Sequence, residues 1–319
     1  MEDRIDGGRH YVTPTKSDWP EDRIPLAAAK EWVSSVCGHS VESPKVLRIK
    51  SWGVTARFGS VVLKVAYTPL FPQVVDVHKV LDIIEPKAAP RLIAHVELDG
   101  QHLTLFEFLP GSTAEESGTS EALVAVAGEL ARVQTAASKL DLSGLPAFPV
   151  EDIVNLLLED DLSDLPTELV QWLRKTEDAF RLDARALAEF PVSLDHPDVN
   201  ASNAIVQSDG NVILLDWEEA TVGCSYFSLD RLLGEAREQS AVDAVCEAYL
   251  KNLPWGTREG LERAMRLVPL KLAWENRTYA RKLGWPHPHT RVTTALLKLA
   301  RHRSTEGFEH AGISDFFDT

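Results

Sequence analysis

The sequence predicts an α+β protein, with an antiparallel sheet and one main helix in its N-terminal third and a mostly helical remainder. Three observations predict it. Short β-like runs fill residues 45–108, with a single helical stretch among them. Beyond residue 109 apolar residues recur at spacings of three and four almost throughout, the mark of amphipathic helices. The exception is one apolar hairpin pattern between residues 194 and 220, which gathers acids and amides at its open end.

Taken in order, residues 1–23 are polar and mixed in charge; they read as a lead-in and not as a secretory signal. An amphipathic helix is expected over 24–36. From Lys45 the texture changes to VLRIK, TARF and SVVLKV, with breaks at Ser51 to Val54 and at Gly59-Ser60 that suit hairpin turns. A helix follows Pro72, and the runs RLIAHVE and HLTLFEF supply two more strands. Leu109-Pro110-Gly111 then interrupts. The expected division is an N-terminal unit of residues 1–108 and a C-terminal unit of residues 109–319. In the second, helical spacing runs over 120–137, 150–158, 168–190, 240–250, 258–282 and 290–301.

A net charge of −15 over 319 residues would repel a phosphate backbone, so nucleic acid is not an expected partner. The same field favours a cationic small molecule. No stretch approaches the roughly 18 consecutive apolar residues of a membrane helix, and no membrane partner is expected. Cys37, Cys224 and Cys246 are too few and too far apart for a disulfide framework or a zinc site, so a reducing cytoplasm is the expected location.

The hairpin pattern reads LDHPDVNASNAIVQSDGNVILLDWEEA from Leu194 to Ala220. Asp209-Gly210 is a strong signal for a two-residue loop. That loop would pair Ser208 with Asn211 and, at the open end, Asn203 with Asp216, with Cβ atoms about 5 Å apart. Asp198 lies in the loop entering the same strand. Two carboxylates and an amide oxygen converging there make a hard-oxygen site of the kind magnesium takes together with substrate phosphates.

His196-Pro197-Asp198 with Asn203 has the form H-x-D-x-x-x-x-N, and Asp216 stands where kinases keep the metal-binding aspartate of their DFG motif. The stretch resembles the catalytic core of the aminoglycoside phosphotransferase and choline kinase family; Gly223 and Asp230 are spaced as in that family. The resemblance covers about residues 45–235 and is specific over 194–230. It departs from the family pattern at Pro197, usually glycine, and at Gln134, usually histidine.

The resemblance implies a two-lobed protein-kinase-like fold and transfer of the γ-phosphoryl group of ATP or GTP to a small-molecule hydroxyl with magnesium. Asp198 would accept or orient the hydroxyl, and Asn203 and Asp216 would hold the metal. Lys64, the only lysine inside an apolar strand run, would hold the phosphates, with Asp76 as its helix partner. Gly53 would sit in the turn that covers the phosphates, and Glu107 to Leu109 would meet the base. His196 reads as a structural hydrogen-bonding residue. Asp230 reads equally as a helix cap and as a tie for the catalytic loop. Glu218 reads equally as an aid to the metal or acceptor and as a solvated acid. The run Glu159 to Asp164 reads as a solvated helix end before an aminoglycoside contact, and Trp274, Tyr279 and Trp285 as core before an ammonium cage. The competing reading is a nucleotide-binding module of the same fold without catalysis; the intact set Lys64, Asp198, Asn203 and Asp216 argues against it. A protein kinase is disfavoured, because the segment from Asp216 to Asp230 is too short for an activation loop.

Overall fold

The computed structural model of the protein describes residues 4–6, 9–12, 19–21, 24–50, 52–67, 72–84, 87–283, 289–308 and 312–317. The strands of the N-terminal part are β1 (Arg4–Asp6), β2 (Arg9–Val12), β3 (Lys45–Lys50), β4 (Gly53–Phe58), β5 (Val61–Ala66), β6 (Leu92–Leu98) and β7 (Gln101–Glu107). They form one antiparallel sheet in the order β1-β2-β3-β4-β5-β7-β6. Helix α1 (Leu26–Cys37) precedes β3, and α2 (Val74–Leu81) lies between β5 and β6. Strands β1 and β2 fall where the sequence reads only as a lead-in. They extend the sheet through main-chain pairing of Tyr11 with Lys50 and Val12 with Ile49.

The sheet's two faces follow from the period of two along each strand. Val61, Leu63 and Val65 of β5 are buried on one face with Val54, Ala56, Phe58, Leu103 and Leu105, packed against Ala29 and Val33 of α1. Burying a leucine such as Leu63 stabilises by roughly 1.5–3 kcal/mol. The alternate residues point the other way. Thr55, Lys64 and Thr104 stand side by side across β4, β5 and β7 on the face turned toward the helical part.

The rest of the chain carries β8 (Ser112–Thr113), α3 (Ala114–Ser117), α4 (Ser120–Ala137), α5 (Ile153–Leu158), α6 (Thr167–Ala188), β9 (Ser193–Asp195), β10 (Ala204–Val206), β11 (Val212–Leu214), β12 (Thr221–Gly223), α7 (Asp230–Leu233), α8 (Gln239–Asn252), α9 (Arg258–Leu283) and α10 (His289–Thr305). The hairpin β10–β11 gains a third strand from β8, and β9 pairs with β12. A second core joins α4, α6, α8, α9 and α10 and takes in Val77 and Leu81 of α2. Among the described residues no helix is long and apolar enough to cross a membrane.

Candidate active site

The segment before the hairpin is tied down by hydrogen bonds. All three residues of β9 are buried. Gln134 of α4 donates to the Leu194 carbonyl at 2.9 Å and to Ser228 Oγ at 3.0 Å, and Ser193 Oγ donates to the Gln134 carbonyl at 2.6 Å. The glutamine that replaces the family's usual histidine therefore anchors this strand. His196 is buried with its ring 4.4 Å from that of Trp217, and its Nε2 lies 2.8 Å from the Leu215 carbonyl. Its Nδ1 accepts the Asp198 N–H at 3.3 Å. Burial holds its pKa below the ordinary value, so the ring is neutral, and these partners select the Nε2–H tautomer. The structural role expected of His196 is the one found.

Asp198 is only 2% exposed. Asn203 Nδ2 donates to its main-chain oxygen at 2.9 Å and to its Oδ2 at 3.1 Å. Asn200 Nδ2 lies 3.3 Å from its Oδ1, and Arg231 Nη1 lies 2.8 Å from the same oxygen. Asn200 also accepts the Asn203 N–H at 3.0 Å, closing the short turn that delivers Asn203. Glu235 accepts the Ala201 N–H at 2.7 Å. Sequence reasoning did not find Asn200, Arg231 or Glu235; no local pattern marks them, and only the fold brings residues 231 and 235 beside the loop.

The hairpin register differs from the expected one by a single residue. Ala204 pairs with Leu214, Ile205 with Ile213 and Val206 with Val212, and the Leu215 N–H donates to the Asn203 carbonyl at 2.7 Å. Asn203 therefore faces Leu215 and not Asp216. The reason lies in the loop. A two-residue primed turn needs positive φ at its first central residue, which would be Asp209, and among the described non-glycine residues only Asp99 and Asp216 have it. Ser208, Asp209 and Gly210 instead form a three-residue loop: Gly210, at φ +85°, donates to the Gln207 carbonyl at 3.0 Å, and the Asp209 carboxylate accepts the Asn211 N–H. Asp216 leaves the ladder in the left-handed conformation, at φ 63° and ψ 44°. That backbone turn, and not strand alternation, carries its carboxylate to Lys64.

Lys64 Nζ lies 2.5 Å from Asp216 Oδ1 and 2.7 Å from Glu218 Oε1. Burial lowers the lysine pKa, but Asp216 and then Glu218 more than offset it, so the ammonium stays charged with a pKa above its ordinary value. The expected partner, Asp76, is not the one found. It is half exposed and pairs with Lys79 at 2.7 Å. The helical period explains this correction: Val74, Val77, His78 and Leu81 form the buried face of α2, which leaves Asp76 on the outer one. The residue that α2 turns inward is His78, its ring 4.8 Å from that of Phe106. Burial, and then the charge of Lys64, push its pKa down to about 3. Glu218, left open between two readings by the sequence, is held from α2's side as well, its carbonyl accepting from Gln73 Nε2 at 3.0 Å.

A cavity of about 330 Å³ opens between the sheet and the hairpin, lined among others by Val62, Lys64, Phe106, Leu109, Asn203 and Asp216. Glu107 also borders it, with its carboxylate turned to Lys87 and to the Arg91 N–H. Gly53 has a packing reason of its own, since a Cβ there would lie 2.3 Å from the Val65 carbonyl oxygen. Asp230 is not the cap of α7; it pairs with Arg303 at 2.5 Å. Of the acidic run, Glu159, Asp161 and Asp164 stay exposed as expected, while Asp160 is drawn in by Arg277 at 2.8 Å; Arg277 also reaches Asp164 at 2.9 Å. Trp274 packs against Phe148, the core role, while Trp285 lies outside the described residues.

The site thus brings Lys64 and Asp216 together at one end of the cavity, with Glu218 beside Lys64, and Asn203 and the Arg231-paired Asp198 behind them. Asn203 commits its amide nitrogen to Asp198, which fixes Oδ1 as its remaining donor atom. With the Asp216 carboxylate this makes a pair of hard oxygens that could hold magnesium.

A model of the phosphotransferase enzyme family matches residues 42–262. No curated protein matches the sequence. Solved structures do. The chain is similar to a thermostable mutant of aminoglycoside phosphotransferase APH(4)-Ia in ternary complex with AMP-PNP and hygromycin B: TM-score 0.63, 15% identity, 88% of this chain and 99% of that one. It is similar to a choline/ethanolamine kinase family protein from Mesorhizobium loti, at TM-score 0.63 and 15% identity over 94% of this chain and 99% of that one. It is also similar to the macrolide 2'-phosphotransferase MphH from Brachybacterium faecium, at TM-score 0.60 and 17% identity over 85% and 98%. At these identities the likeness is one of fold, and the fold is the expected two-lobed, protein-kinase-like α+β arrangement.

Proposed function

The chain belongs to the phosphotransferase enzyme family, and from that premise we propose that it moves the γ-phosphoryl group of ATP or GTP to a hydroxyl of a small molecule, with magnesium. The observation that carries this reading is the meeting of Lys64 with Asp216 at the end of the 330 Å³ cavity that Asn203 also lines. One residue of the sheet and two of the hairpin supply what a nucleoside triphosphate needs there, a fixed cation and two hard oxygens.

Asn203 and Asp216 would hold magnesium, which when bound neutralises phosphate charge. Lys64 neutralises the same phosphates from the sheet. The main chain from Glu107 to Leu109 meets the base; because the Arg91 N–H goes to the Glu107 carboxylate, the side chain relieves that residue's carbonyl of this donor. Asp198, gripped by Asn203, Asn200 and Arg231, orients the incoming hydroxyl. The hydroxyl oxygen bonds to the γ-phosphorus as the bond from that phosphorus to the β–γ bridging oxygen breaks. Its electron pair leaves with the nucleoside diphosphate, and the hydroxyl proton passes to the Asp198 carboxylate. The transition state is loose and anionic, so alignment and charge neutralisation do most of the catalysis. In this reading residues 1–108 and 109–319 are the two sides of the cleft. The free thiols Cys37, Cys224 and Cys246 suit a reducing, cytoplasmic setting.

The test compares two variants. Asp216→Ala should lose metal-dependent turnover together with nucleotide affinity. Asp198→Asn should keep nucleotide affinity within about twofold while kcat falls by roughly 10²–10⁴, because its work is on the hydroxyl. Equal loss of nucleotide binding in both would overturn the role given to Asp198. Tight nucleotide binding by the unaltered protein without turnover of any acceptor would favour the non-catalytic module instead.

A further inference from the structure

His78 lines the 330 Å³ cavity with a hydrogen-bond acceptor that no described residue uses. Helix α2 turns it inward, where it is only 3% exposed and its ring lies 4.8 Å from that of Phe106. One ring nitrogen bonds to the Pro90 main chain. Proline has no N–H, so the partner is the Pro90 carbonyl and that nitrogen carries the proton. The other nitrogen, Nδ1, is buried with no hydrogen-bond partner among the described residues. Burial opposes a second proton on the ring, so Nδ1 keeps its lone pair. Leaving a buried acceptor unpaired is costly, and folded proteins seldom do so without a use for it.

The walls of the cavity suit a flat ring. Val62 and Phe106 line it from the sheet, and Ile205 and Leu215 from the hairpin. All four are apolar, so few polar atoms are left to read the edge of a bound ring. Beside Phe106 these are His78 Nδ1 and the carbonyl of Glu107, since the Arg91 N–H goes to the Glu107 carboxylate instead. Both are acceptors, so both call for N–H groups on the ligand. Lys64, the cation in the same cavity, is engaged by Asp216 and Glu218.

We propose that His78 sets base specificity: its Nδ1 accepts one N–H of the exocyclic amino group of adenine while the Glu107 carbonyl accepts the other, so that the protein takes ATP in preference to GTP. Guanine carries a carbonyl oxygen at that position, which would face two acceptors and leave both unpaired. A site built on hydrogen bonds rejects an analogue that cannot make them far more strongly than an apolar pocket rejects a change of size. The inference rests on the phosphotransferase reading and narrows its co-substrate to one of two.

The experiment measures nucleotide affinity of the full chain by calorimetry with magnesium, which requires no phosphoryl acceptor. The probes are ATP, GTP and the triphosphate of purine riboside, which is ATP without its amino group. ATP should bind about 10²-fold more tightly than GTP and about tenfold or more above the purine riboside compound. His78→Leu should weaken ATP about tenfold and the purine riboside compound by no more than about twofold. His78→Phe, which keeps a ring against Phe106, should do the same, and it serves if thermal unfolding shows that the leucine variant does not fold. His78→Asn, which keeps an acceptor oxygen near the place of Nδ1, should recover part of the loss. GTP or the purine riboside compound bound as tightly as ATP overturns the inference and leaves the phosphotransferase reading standing. So does an equal weakening of every probe by His78→Leu or His78→Phe, since a residue that only packs on Phe106 or positions Lys64 would affect all nucleotides alike. Absence of nucleotide binding sinks the two together.

Discussion

The main-chain N–H of Leu215 donates to the carbonyl of Asn203 at 2.7 Å, so the residue opposite Asn203 in the hairpin is Leu215, and Asp216 lies one step beyond the ladder. Asp216 reaches the cleft because its backbone turns left-handed there. Such a conformation costs a non-glycine residue about 1–2 kcal/mol and is held where function requires it.

That strain is measurable by comparing two substitutions that remove the same carboxylate. Asp216→Gly should be more stable than Asp216→Ala by about 1 kcal/mol in urea unfolding, since glycine accepts positive φ without penalty. Both should be inactive. An alanine variant as stable as the glycine one would mean that the left-handed turn is not maintained in solution.

Lys64 takes its counter-ions from the segment after the hairpin and not from α2. Glu218→Gln should raise the nucleotide KM about tenfold, whereas Asp76→Asn, on the outer face beside Lys79, should leave it within twofold. Steady-state kinetics on the two variants settles the matter. The reverse order of effects would restore Asp76 as the lysine's partner.

His78 makes stability depend on pH in a definite direction. Its folded pKa is about 3, whereas an unfolded histidine titrates near 6.5. As pH falls below 6.5 the unfolded chain gains a proton that the folded one refuses until about pH 3, so stability is lost as pH drops through that window. Between pH 6.5 and 5 the loss is about 2 kcal/mol. His78→Gln should flatten that segment of the stability profile by the same amount. Parallel profiles for the two proteins would refute it.

Lys271 of α9 is fully buried, 3.1 Å from Asp195 Oδ2 and 2.7 Å from Glu275 Oε1. Burial pulls its pKa down, but Asp195 and Glu275 together lift it above the ordinary value, so the ammonium is charged. Lys271→Met would strand two buried carboxylates and should destabilise by roughly 3–5 kcal/mol. The double variant with Asp195→Asn should recover part of that. Calorimetric unfolding that finds Lys271→Met neutral would show the pair to be dispensable.

How much of this was legible in the residues is shown by one dipeptide at two of its places in the chain. Asp99-Gly100 and Asp209-Gly210 carry the same local signal. At the first, both residues have positive φ, and Leu98 pairs with Gln101 around a two-residue loop. At the second, Asp209 captures the Asn211 N–H and only Gly210 has positive φ, so the loop takes three residues and the register shifts by one. The spacing argued for Asp198, Asn203 and Asp216 through a register in which Asn203 faces Asp216; the structure has Leu215 there, and the left-handed turn at Asp216, which no local pattern marks, delivers the carboxylate instead. Asp76 failed for a similar reason. Distance along the chain located the helix after Lys64, but which face of it turned inward depended on where Val74, Val77 and Leu81 found apolar cover.

By itself the sequence determined the α+β division, the apolar strand around Lys64 and the family to which the chain belongs, because periodicity and short motifs are local properties that each segment carries alone. Only the tertiary structure decided which charges meet. Lys64 with Glu218, Arg231 with Asp198, Lys271 with Asp195 and Arg277 with Asp160 join residues far apart in the chain. A charge is satisfied by whatever partner the packed core leaves within about 3 Å, and that neighbour is a property of the fold, not of the segment.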